Sequence, residues 1–286
     1  MVTVNTNTKI IGLLGYPLEH SYSPLMHNAT FEHCSLNKLY IPIEVLPENL
    51  ESVVRCITKI NFDGFNVTKP YKVEIIKYLD EIDEYAKCIG AVNTVTIKNG
   101  ILKGYNTDGI GFLKSFEEGS GTTIEGKEVF VLGSGGASRG ICMTLALNKA
   151  KRIYICNRTY EKAIALAKDI NNKVEGCSIE VPMINEETEK AIKNSDVLIN
   201  TTSVGMFPDV EDTPLDKSML NEKLIVCDAI YNPKKTRLLR EAEEIGCKTV
   251  NGLAMLVYQG VESFKLWTGI NAPQEVMFKI VDESLK

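Results

Sequence analysis

Residues 129–138 read Val-Phe-Val-Leu-Gly-Ser-Gly-Gly-Ala-Ser, and this stretch decides the fold of the second half of the chain. Its first four residues are apolar, which is typical of a buried strand in a parallel sheet. The glycines that follow allow the backbone to turn sharply and to approach a ligand closely. The stretch therefore predicts a buried strand followed by a glycine-rich turn.

The residues after the turn extend this pattern. Residues 138–150 predict a helix with an apolar face, and residues 153–156 predict a second strand. A strand, turn, helix and second strand place the free N–H groups of a helix N-terminus beneath a pyrophosphate. We therefore predict a dinucleotide-binding unit, although Ser138 stands at the third glycine position of G-x-G-x-x-G.

The end of the second strand distinguishes between dinucleotides. NAD-binding units carry an acid there that binds the ribose 2′-hydroxyl, whereas this chain has Asn157, Arg158 and Thr159. The guanidinium of Arg158 is planar and permanently charged, which suits a 2′-phosphate, and Lys162 lies one helical turn further on. These residues favour NADP over NAD and over S-adenosylmethionine. The alternative is that Arg158 is an ordinary solvated surface residue.

Composition limits the class of protein. The 286 residues are 44% hydrophobic and 24% charged, as in globular proteins with a sizeable core. The net charge of −5 argues against nucleic acid or an anionic membrane as a partner. No apolar run approaches the ~18 residues of a membrane span, and the N-terminus does not resemble a signal peptide.

The cysteines and histidines give no indication of a metal site or a disulfide framework. The eight cysteines occur singly, without a C-x-x-C pair, which is typical of free thiols in a reducing cytoplasm. We therefore expect a cytoplasmic protein. His20, His27 and His33 lie close together in sequence, but no cysteine pair or H-E-x-x-H accompanies them, so we expect no metal.

The first hundred residues alternate predicted strands and helices, which indicates a mainly parallel sheet. Ser23 before Pro24 predicts a helix start with Ser23 as its N-cap. Pro70 predicts another helix start, which would place Lys72 in the first turn. Taken alone, Lys72 has the character of a solvated surface lysine.

A hairpin is predicted at Asn99-Gly100, which separates two segments of alternating apolar and polar residues. Paired positions then sum to 199, which places Asn93 opposite Asn106 and close to Asp108. Each polar residue near the strand ends has an ordinary explanation as a cap or turn residue. Their concentration nevertheless suits a polyhydroxylated ligand, whose hydroxyls need partners. The residues concerned are Ser21, Ser23, Asn66, Thr68, Asn93 and Asp108.

The pattern as a whole predicts an α/β protein of two domains. Residues 118–123, Glu-Gly-Ser-Gly-Thr-Thr, are typical of a linker. We expect an N-terminal α/β domain over residues 1–106, completed by the last helices, from about 252–286. We expect a Rossmann-like domain over residues 107–251, beginning with a linker helix at 107–118.

Nine short motifs stand along the chain in a characteristic order. They are His20-Ser21-Tyr22-Ser23-Pro24, Asn66-Val67-Thr68 with Pro70 and Lys72, Gly90-Ala91-Val92-Asn93-Thr94, Asn106-Thr107-Asp108-Gly109, residues 133–138, Asn157-Arg158-Thr159, residues 200–206 (Asn-Thr-Thr-Ser-Val-Gly-Met), Tyr231-Asn232-Pro233, and residues 252–256 with Gln259. In this order the chain resembles the shikimate/quinate dehydrogenase family over nearly its full length.

The resemblance implies an NADP-dependent oxidoreductase that acts on a CH–OH group. The reaction would be the reversible, NADPH-dependent reduction of 3-dehydroshikimate to shikimate, in chorismate and aromatic amino acid biosynthesis. Lys72 and Asp108 would be the catalytic pair. Lys72 would give a proton to the developing alkoxide, and Asp108 would orient Lys72 and bind a substrate hydroxyl.

The resemblance also implies binding residues. On the substrate side, Ser21 and Ser23 would hold the carboxylate with help from Tyr231, and Thr68, Asn93 and Gln259 would hold the ring hydroxyls beside Lys72 and Asp108. On the cofactor side, Gly133, Ser134, Gly135, Gly136 and Ala137 would hold the pyrophosphate, and Asn157, Arg158, Thr159 and Lys162 the adenosine phosphate end. Ala229, Gly252 and Met255 would lie by the nicotinamide, and Thr202 and Glu84 match further cofactor positions.

The chain departs from the family pattern at two positions, and two alternative functions remain. Lys69 stands where the family often has an apolar residue, and Ser134 replaces a common alanine. One alternative is quinate with NAD, against which Arg158 and the serine at position 23 argue. The other is a non-catalytic NADP-binding or regulatory module, against which the presence of both Lys72 and Asp108 argues. We expect a small-molecule substrate and a monomer or homodimer.

Overall fold

The computed structural model describes residues 4–18, 21–183 and 185–285, and the predicted α/β class is confirmed. The chain divides into two compact units. Unit 1 comprises residues up to Thr107 together with Gln259–Ser284, and unit 2 comprises Asp108–Tyr258. His20, one of the three histidines considered above, lies outside the described residues.

Unit 1 alternates strands and helices, as the sequence predicts. Its strands are β1 (Lys9–Gly15), β2 (Lys38–Glu44), β3 (Phe62–Val67), β4 (Glu81–Ile82), β5 (Thr94–Lys98) and β6 (Ile101–Tyr105). Its first helices are α1 (Ser23–His33), α2 (Leu50–Ile57) and α3 (Glu84–Ile89), with short 3₁₀ helices at Pro47–Asn49 and Glu74–Tyr78.

The sheet of unit 1 has the order β2-β1-β3-β5-β6-β4. Three of its five strand pairings are parallel, and β5 runs antiparallel to both neighbours. The hairpin register is confirmed, because Thr94 pairs with Tyr105 and their numbers sum to 199. Asn99 and Gly100 have φ angles of 54° and 79°, the left-handed conformation that a two-residue hairpin turn requires at both central positions.

Unit 2 is built around residues 129–138, the strand and glycine-rich turn described above. Its strands are β7 (Glu128–Leu132), β8 (Arg152–Cys156), β9 (Ser178–Val181), β10 (Val197–Asn200), β11 (Ile225–Asp228) and β12 (Lys248–Val250). Its helices are α4 (Asp108–Ser120), α5 (Gly136–Leu147), α6 (Tyr160–Asn171), α7 (Glu186–Asn194) and α8 (Arg237–Ile245), with a 3₁₀ helix at Lys217–Met219.

The sheet of unit 2 is parallel throughout, in the order β12-β11-β10-β7-β8-β9. The strand order therefore reverses between β7 and β10. Ligands of open α/β sheets bind beyond the carboxyl ends of the strands at such a reversal. The glycine turn that follows Leu132 lies at this point of the sheet.

The last two helices are α9 (Gly252–Thr268) and α10 (Gln274–Ser284). The second half of α9 packs on the sheet of unit 1, where Phe264 and Trp267 are buried and Trp267 Nε1 donates to the Val95 carbonyl at 3.0 Å. Among the described residues, no helix combines the length and apolar character needed to cross a bilayer.

Two predicted helix starts are wrong in detail. Ser23 is the first residue of α1 rather than its N-cap, which is Tyr22. No α-helix begins at Pro70, so Lys72 is not in a helical first turn. The physical reason is that the Lys72 carbonyl accepts from Val92 N at 2.7 Å, so it is bound to the segment before β5.

Candidate active site

A buried hydrogen-bond network occupies the centre of unit 1, at the end of β3. Asn66 Nδ2 donates to the Asn93 carbonyl and to Thr94 Oγ1, both at 3.0 Å. Asn66 Oδ1 accepts from the Tyr40 hydroxyl at 2.8 Å. Asn66 is 6% exposed and Asn93 3%, so these bonds are shielded from water. Asn66 and Asn93, two of the polar residues predicted near strand ends, therefore belong to one connected group.

Asn93 is held firmly within this network. Its Nδ2 donates to Thr107 Oγ1 at 2.9 Å, and its Oδ1 accepts from Thr107 N at 2.8 Å. Thr107 directly precedes Asp108, which is buried at the start of α4. The predicted substrate residue Asn93 thus has a fixed amide orientation.

Ser263 on α9 belongs to the same network, and the sequence analysis missed it. Its hydroxyl lies 2.7 Å from Thr94 Oγ1 and 3.2 Å from Thr107 Oγ1, and it donates to the Gln259 carbonyl at 2.9 Å. Gln259 itself is half-buried. Because residues four apart share one helix face, the spacing from Gln259 to Ser263 was a usable signal.

The two serines that are predicted to bind the substrate carboxylate lie at the start of α1. Ser21 Oγ accepts from Ser23 N at 3.3 Å. The Ser23 side chain lies near the Tyr40 hydroxyl, which donates to Asn66. Burial raises the pKa of Tyr40, so its hydroxyl stays protonated and can donate. Ser23 therefore lies beside the network that contains Asn66 and Asn93.

The remaining predicted residues of unit 1 follow β3. Thr68 N donates to the Leu14 carbonyl at 2.9 Å, and Val67 N donates to the Asn93 carbonyl at 2.8 Å. Lys72 is half-buried, with its carbonyl bonded to Val92 N. The backbones of Thr68, Lys72 and Asn93 therefore lie beside one another. Glu84 is elsewhere in the unit, 90% exposed and 3.8 Å from Lys87 Nζ.

In unit 2, the glycine turn has the geometry that its sequence predicts. Gly133 has φ +109°, a conformation that favours glycine, and a Cβ there would lie 2.5 Å from Thr201 Oγ1. Ser138 Oγ, fully buried, donates to the Gly133 carbonyl at 2.7 Å. Ser138 therefore stabilises the turn at the position where the usual pattern has a third glycine.

The turn has room and unsatisfied polar groups for a ligand. A Cβ built on Gly135 meets no atom within 4 Å, and α5 begins at the next residue, Gly136. The first N–H groups of a helix have no partner within the helix. Ser134 Oγ is buried and has no hydrogen-bond partner among the described residues. These residues, with Ala137, fit a pyrophosphate.

The end of β8 presents two cations. Arg158 and Lys162 are both exposed, and within the described ranges neither has a carboxylate in ion-pair distance. Asn157 Nδ2 donates to the Thr159 carbonyl at 2.8 Å, which shapes the turn into α6. This arrangement suits a phosphate on the ribose of a dinucleotide.

Ala229 and Gly252, both predicted to lie by the nicotinamide, approach each other closely in unit 2. Gly252 N donates to the Ile230 carbonyl at 3.1 Å, and a Cβ on Gly252 would collide with the Ala229 carbonyl. Only glycine allows this close approach. Met255 lies one turn further along α9 and is 9% exposed.

Thr202 and Tyr231 follow β10 and β11, which are neighbours in the sheet of unit 2. Thr202 Oγ1 donates to Asn200 Oδ1 at 2.7 Å, and Asn200 Nδ2 donates to Asp228 Oδ1 at 3.1 Å. Tyr231 is half-buried, three residues after Asp228. Burial raises the pKa of Asp228 to about 6. The sequence analysis missed both Asn200 and Asp228 as supporting residues. In the described part of the chain, no group of three His, Cys, Asp or Glu side chains is placed to hold a metal ion.

Comparison with known families gives three matches along the chain. Residues 13–95 match the family described as "Shikimate dehydrogenase substrate binding domain". Residues 116–234 match "Shikimate / quinate 5-dehydrogenase", and residues 252–279 match "Shikimate 5'-dehydrogenase C-terminal domain".

Individual relatives agree with these matches. The shikimate dehydrogenase (NADP(+)) of Methanocaldococcus jannaschii is 46% identical, covering 99% of this chain and 100% of that protein. A shikimate dehydrogenase crystallised with NADP+ is similar at a TM-score of 0.93 and 43% identity, covering 99% of this chain and 98% of that one. The quinate dehydrogenase of Corynebacterium glutamicum, solved with NAD, has a TM-score of 0.89 and 31% identity, covering 96% and 99%. By sequence and by fold, this chain belongs to the shikimate dehydrogenase family.

Proposed function

We propose that the chain catalyses the reversible, NADPH-dependent reduction of 3-dehydroshikimate to shikimate, a step in aromatic amino acid biosynthesis. The observation that carries the proposal is the buried network that joins Asn66, Asn93 and Ser263 in unit 1. Amide and hydroxyl groups are suited to bind ring hydroxyls, and their mutual hydrogen bonds hold them in fixed orientations. The family to which the chain belongs supports the same substrate class.

We assign substrate binding to unit 1 and cofactor binding to unit 2. In unit 1, Ser21 and Ser23 bind the substrate carboxylate, and Thr68, Asn93 and Gln259 bind ring hydroxyls. Asp108 accepts a hydrogen bond from a substrate hydroxyl, and Tyr231 assists at the carboxylate. The match of residues 13–95 to a substrate binding domain supports this division.

The residues of unit 2 fit NADP. The open space at Gly135 and the unpaired hydroxyl of Ser134 suit the pyrophosphate, and Arg158 with Lys162 suits the 2′-phosphate. Gly133, Gly136 and Ala137 complete the turn, and Asn157 and Thr159 the adenosine end. Thr202, Ala229, Gly252 and Met255 form the nicotinamide side, and Glu84 is a further cofactor contact. When bound, NADPH supplies the hydride.

Lys72 is the group that donates and accepts the proton. As the ketone carbon gains a hydride, its oxygen becomes an alkoxide, and Lys72 Nζ donates a proton to that oxygen. In the oxidation direction, Lys72 takes the proton from the hydroxyl. Asp108, at the start of α4, is the second member of the catalytic pair.

The cellular setting follows from the thiols. All eight cysteines are free, which agrees with a reducing compartment, and we propose that the enzyme acts in the cytoplasm. We propose separately that it is a monomer or a homodimer.

The proposal is tested by initial rates at 340 nm with four pairs: shikimate or quinate, each with NADP or NAD. We expect the highest kcat/KM with shikimate and NADP. Preference for quinate with NAD would replace the proposal by the quinate alternative. Absence of turnover with all four pairs, together with measurable NADPH binding, would favour a non-catalytic NADP-binding module.

A further inference from the structure

Asp228, at the end of β11, is a buried carboxylate that takes no part in the mechanism above. It is 3% exposed, and its two oxygens accept three hydrogen bonds. Oδ1 accepts from Ile230 N at 3.0 Å and from Asn200 Nδ2 at 3.1 Å, and Oδ2 accepts from Thr236 Oγ1 at 2.7 Å. A buried carboxylate is costly unless it is bonded in this way, so its presence calls for an explanation.

The three partners lie in different segments of unit 2. Asn200 ends β10 and, through its Oδ1, holds the N–H of Thr202 at 3.0 Å. Ile230 accepts from Gly252 N, which ties the segment after β11 to the start of α9. Thr236 is the N-cap of α8, where its hydroxyl also accepts from Leu239 N. One carboxylate therefore connects the end of β10, the segment after β11 and the N-terminus of α8, and through Ile230 it is linked to the start of α9.

These segments carry the residues assigned above to the nicotinamide side: Thr202, Ala229, Gly252 and Met255. The residues assigned to the adenosine end follow β8 and have no bond to Asp228 within the described chain. The Asp228 network is thus confined to one end of the proposed cofactor site.

We propose that Asp228 is a positioning residue for the nicotinamide end of the cofactor. It holds the end of β10, the segment after β11 and the start of α9 in fixed relative positions, without touching the ligand. The inference rests on the proposed function. A displacement of about 1 Å at a reacting centre costs about 100-fold in rate, so such a positioning role has measurable consequences.

The test compares NADPH with 2′,5′-ADP, which lacks the nicotinamide half, as ligands of the full-length protein. In Asp228→Ala we expect NADPH affinity to fall about tenfold or more and kcat for shikimate oxidation to fall by about the same factor. We expect 2′,5′-ADP affinity to stay within about twofold of wild type, because its residues lie outside the network. Asp228→Asn keeps an accepting Oδ1 for Ile230 and Asn200, so it should recover most of the loss.

Three further variants keep the test decisive. Asp216→Ala removes another carboxylate of unit 2 that accepts from Ser218 N, and it should leave both affinities unchanged. If Asp228→Ala does not fold, Thr236→Val and Thr236→Ser provide the same comparison, with loss expected only in the valine variant.

The positioning role is wrong if Asp228→Ala binds NADPH like wild type, or if NADPH and 2′,5′-ADP affinities fall by the same factor. Failure of the wild-type protein to turn over shikimate would instead contradict the proposed function.

Discussion

Asn93 and Thr107 are joined by two hydrogen bonds, from Asn93 Nδ2 to Thr107 Oγ1 at 2.9 Å and from Thr107 N to Asn93 Oδ1 at 2.8 Å. These two hydrogen bonds fix both ends of the Asn93 amide, at the point where the chain leaves the hairpin. The side chain is therefore oriented before any ligand arrives, which reduces the entropic cost of binding.

Asn93→Ala should impair both stability and substrate binding. We expect a loss of about 1–3 kcal/mol in unfolding free energy and a rise of about tenfold in KM for shikimate, because a buried bonded amide is removed. Asn171 is a control, since it also makes two hydrogen bonds to one residue: its Nδ2 donates to the Ser178 carbonyl and its Oδ1 accepts from Ser178 N, both at 2.8 Å. Asn171→Ala should lose stability without changing KM. Equal KM changes in the two variants would argue against substrate binding by Asn93.

Gly135→Ala should affect the cofactor without affecting the fold. A Cβ at Gly135 meets no atom of the protein, and φ is −76°, which any residue adopts. We expect an unchanged melting temperature but NADPH affinity about tenfold weaker, because the methyl group occupies space meant for the pyrophosphate. Gly133→Ala should instead lower the melting temperature, since φ is +109° there. Unaltered NADPH affinity in Gly135→Ala would contradict the proposed pyrophosphate site.

Arg158→Ala should change the choice of cofactor. A hydrogen bond to a charged group contributes about 1.5–3 kcal/mol, so we expect KM for NADP to rise about 10- to 100-fold. KM for NAD, which has no 2′-phosphate, should change less than about twofold. Lys168→Ala, on the exposed side of α6, is the control and should alter neither. Parallel rises in both KM values would show that Arg158 does not read the 2′-phosphate.

His27 should make the stability of unit 1 sensitive to acid. The ring is fully buried, stacked on Tyr40 at 4.7 Å, and neither of its nitrogens has a hydrogen-bond partner within the described chain. Burial lowers the pKa of His27 to about 3, from 6.5. Below pH 6.5 the unfolded chain binds a proton that the folded chain does not, so stability falls as pH falls. Between pH 7 and pH 5 the loss should be about 2 kcal/mol.

Urea unfolding of wild type and His27→Leu at both pH values measures this contribution. The difference between the two proteins is the informative quantity, because Asp228, with a pKa raised from 3.8 to about 6, has the opposite sign: its contribution is lost as pH rises through 6. His33→Leu removes an exposed histidine and should behave as wild type. An acid-dependent loss that persists unchanged in His27→Leu would exclude this histidine as its source.

Regular elements with strong local signals were predictable from sequence. The hairpin at Asn99-Gly100 needs two left-handed residues, and the strand before Gly133 is a continuous apolar run, so local chemistry suffices for both. The helix expected at Pro70 fails because a tertiary bond, from Val92 N to the Lys72 carbonyl, competes with the local preference.

The short strands β4 and β9 and the helices α3 and α7 were not predicted, since their few residues carry little periodicity. The site divides in the same way. Candidate residues in contiguous motifs, such as Gly133 and Arg158, could be proposed from sequence, whereas Ser263 and Asp228 make their hydrogen bonds to partners far along the chain. A buried acid at a strand end is a weak signal until those partners are known.

In the proposed mechanism, Lys72 transfers the proton in shikimate oxidation. The most direct measurement is kcat for shikimate with NADP in Lys72→Ala, together with shikimate affinity by calorimetry and with Lys77→Ala, an exposed lysine of the same segment, as control. We predict a fall in kcat of about 100-fold or more with shikimate still bound, and wild-type rates in the control. A Lys72→Ala enzyme with wild-type kcat would show that Lys72 does not transfer the proton.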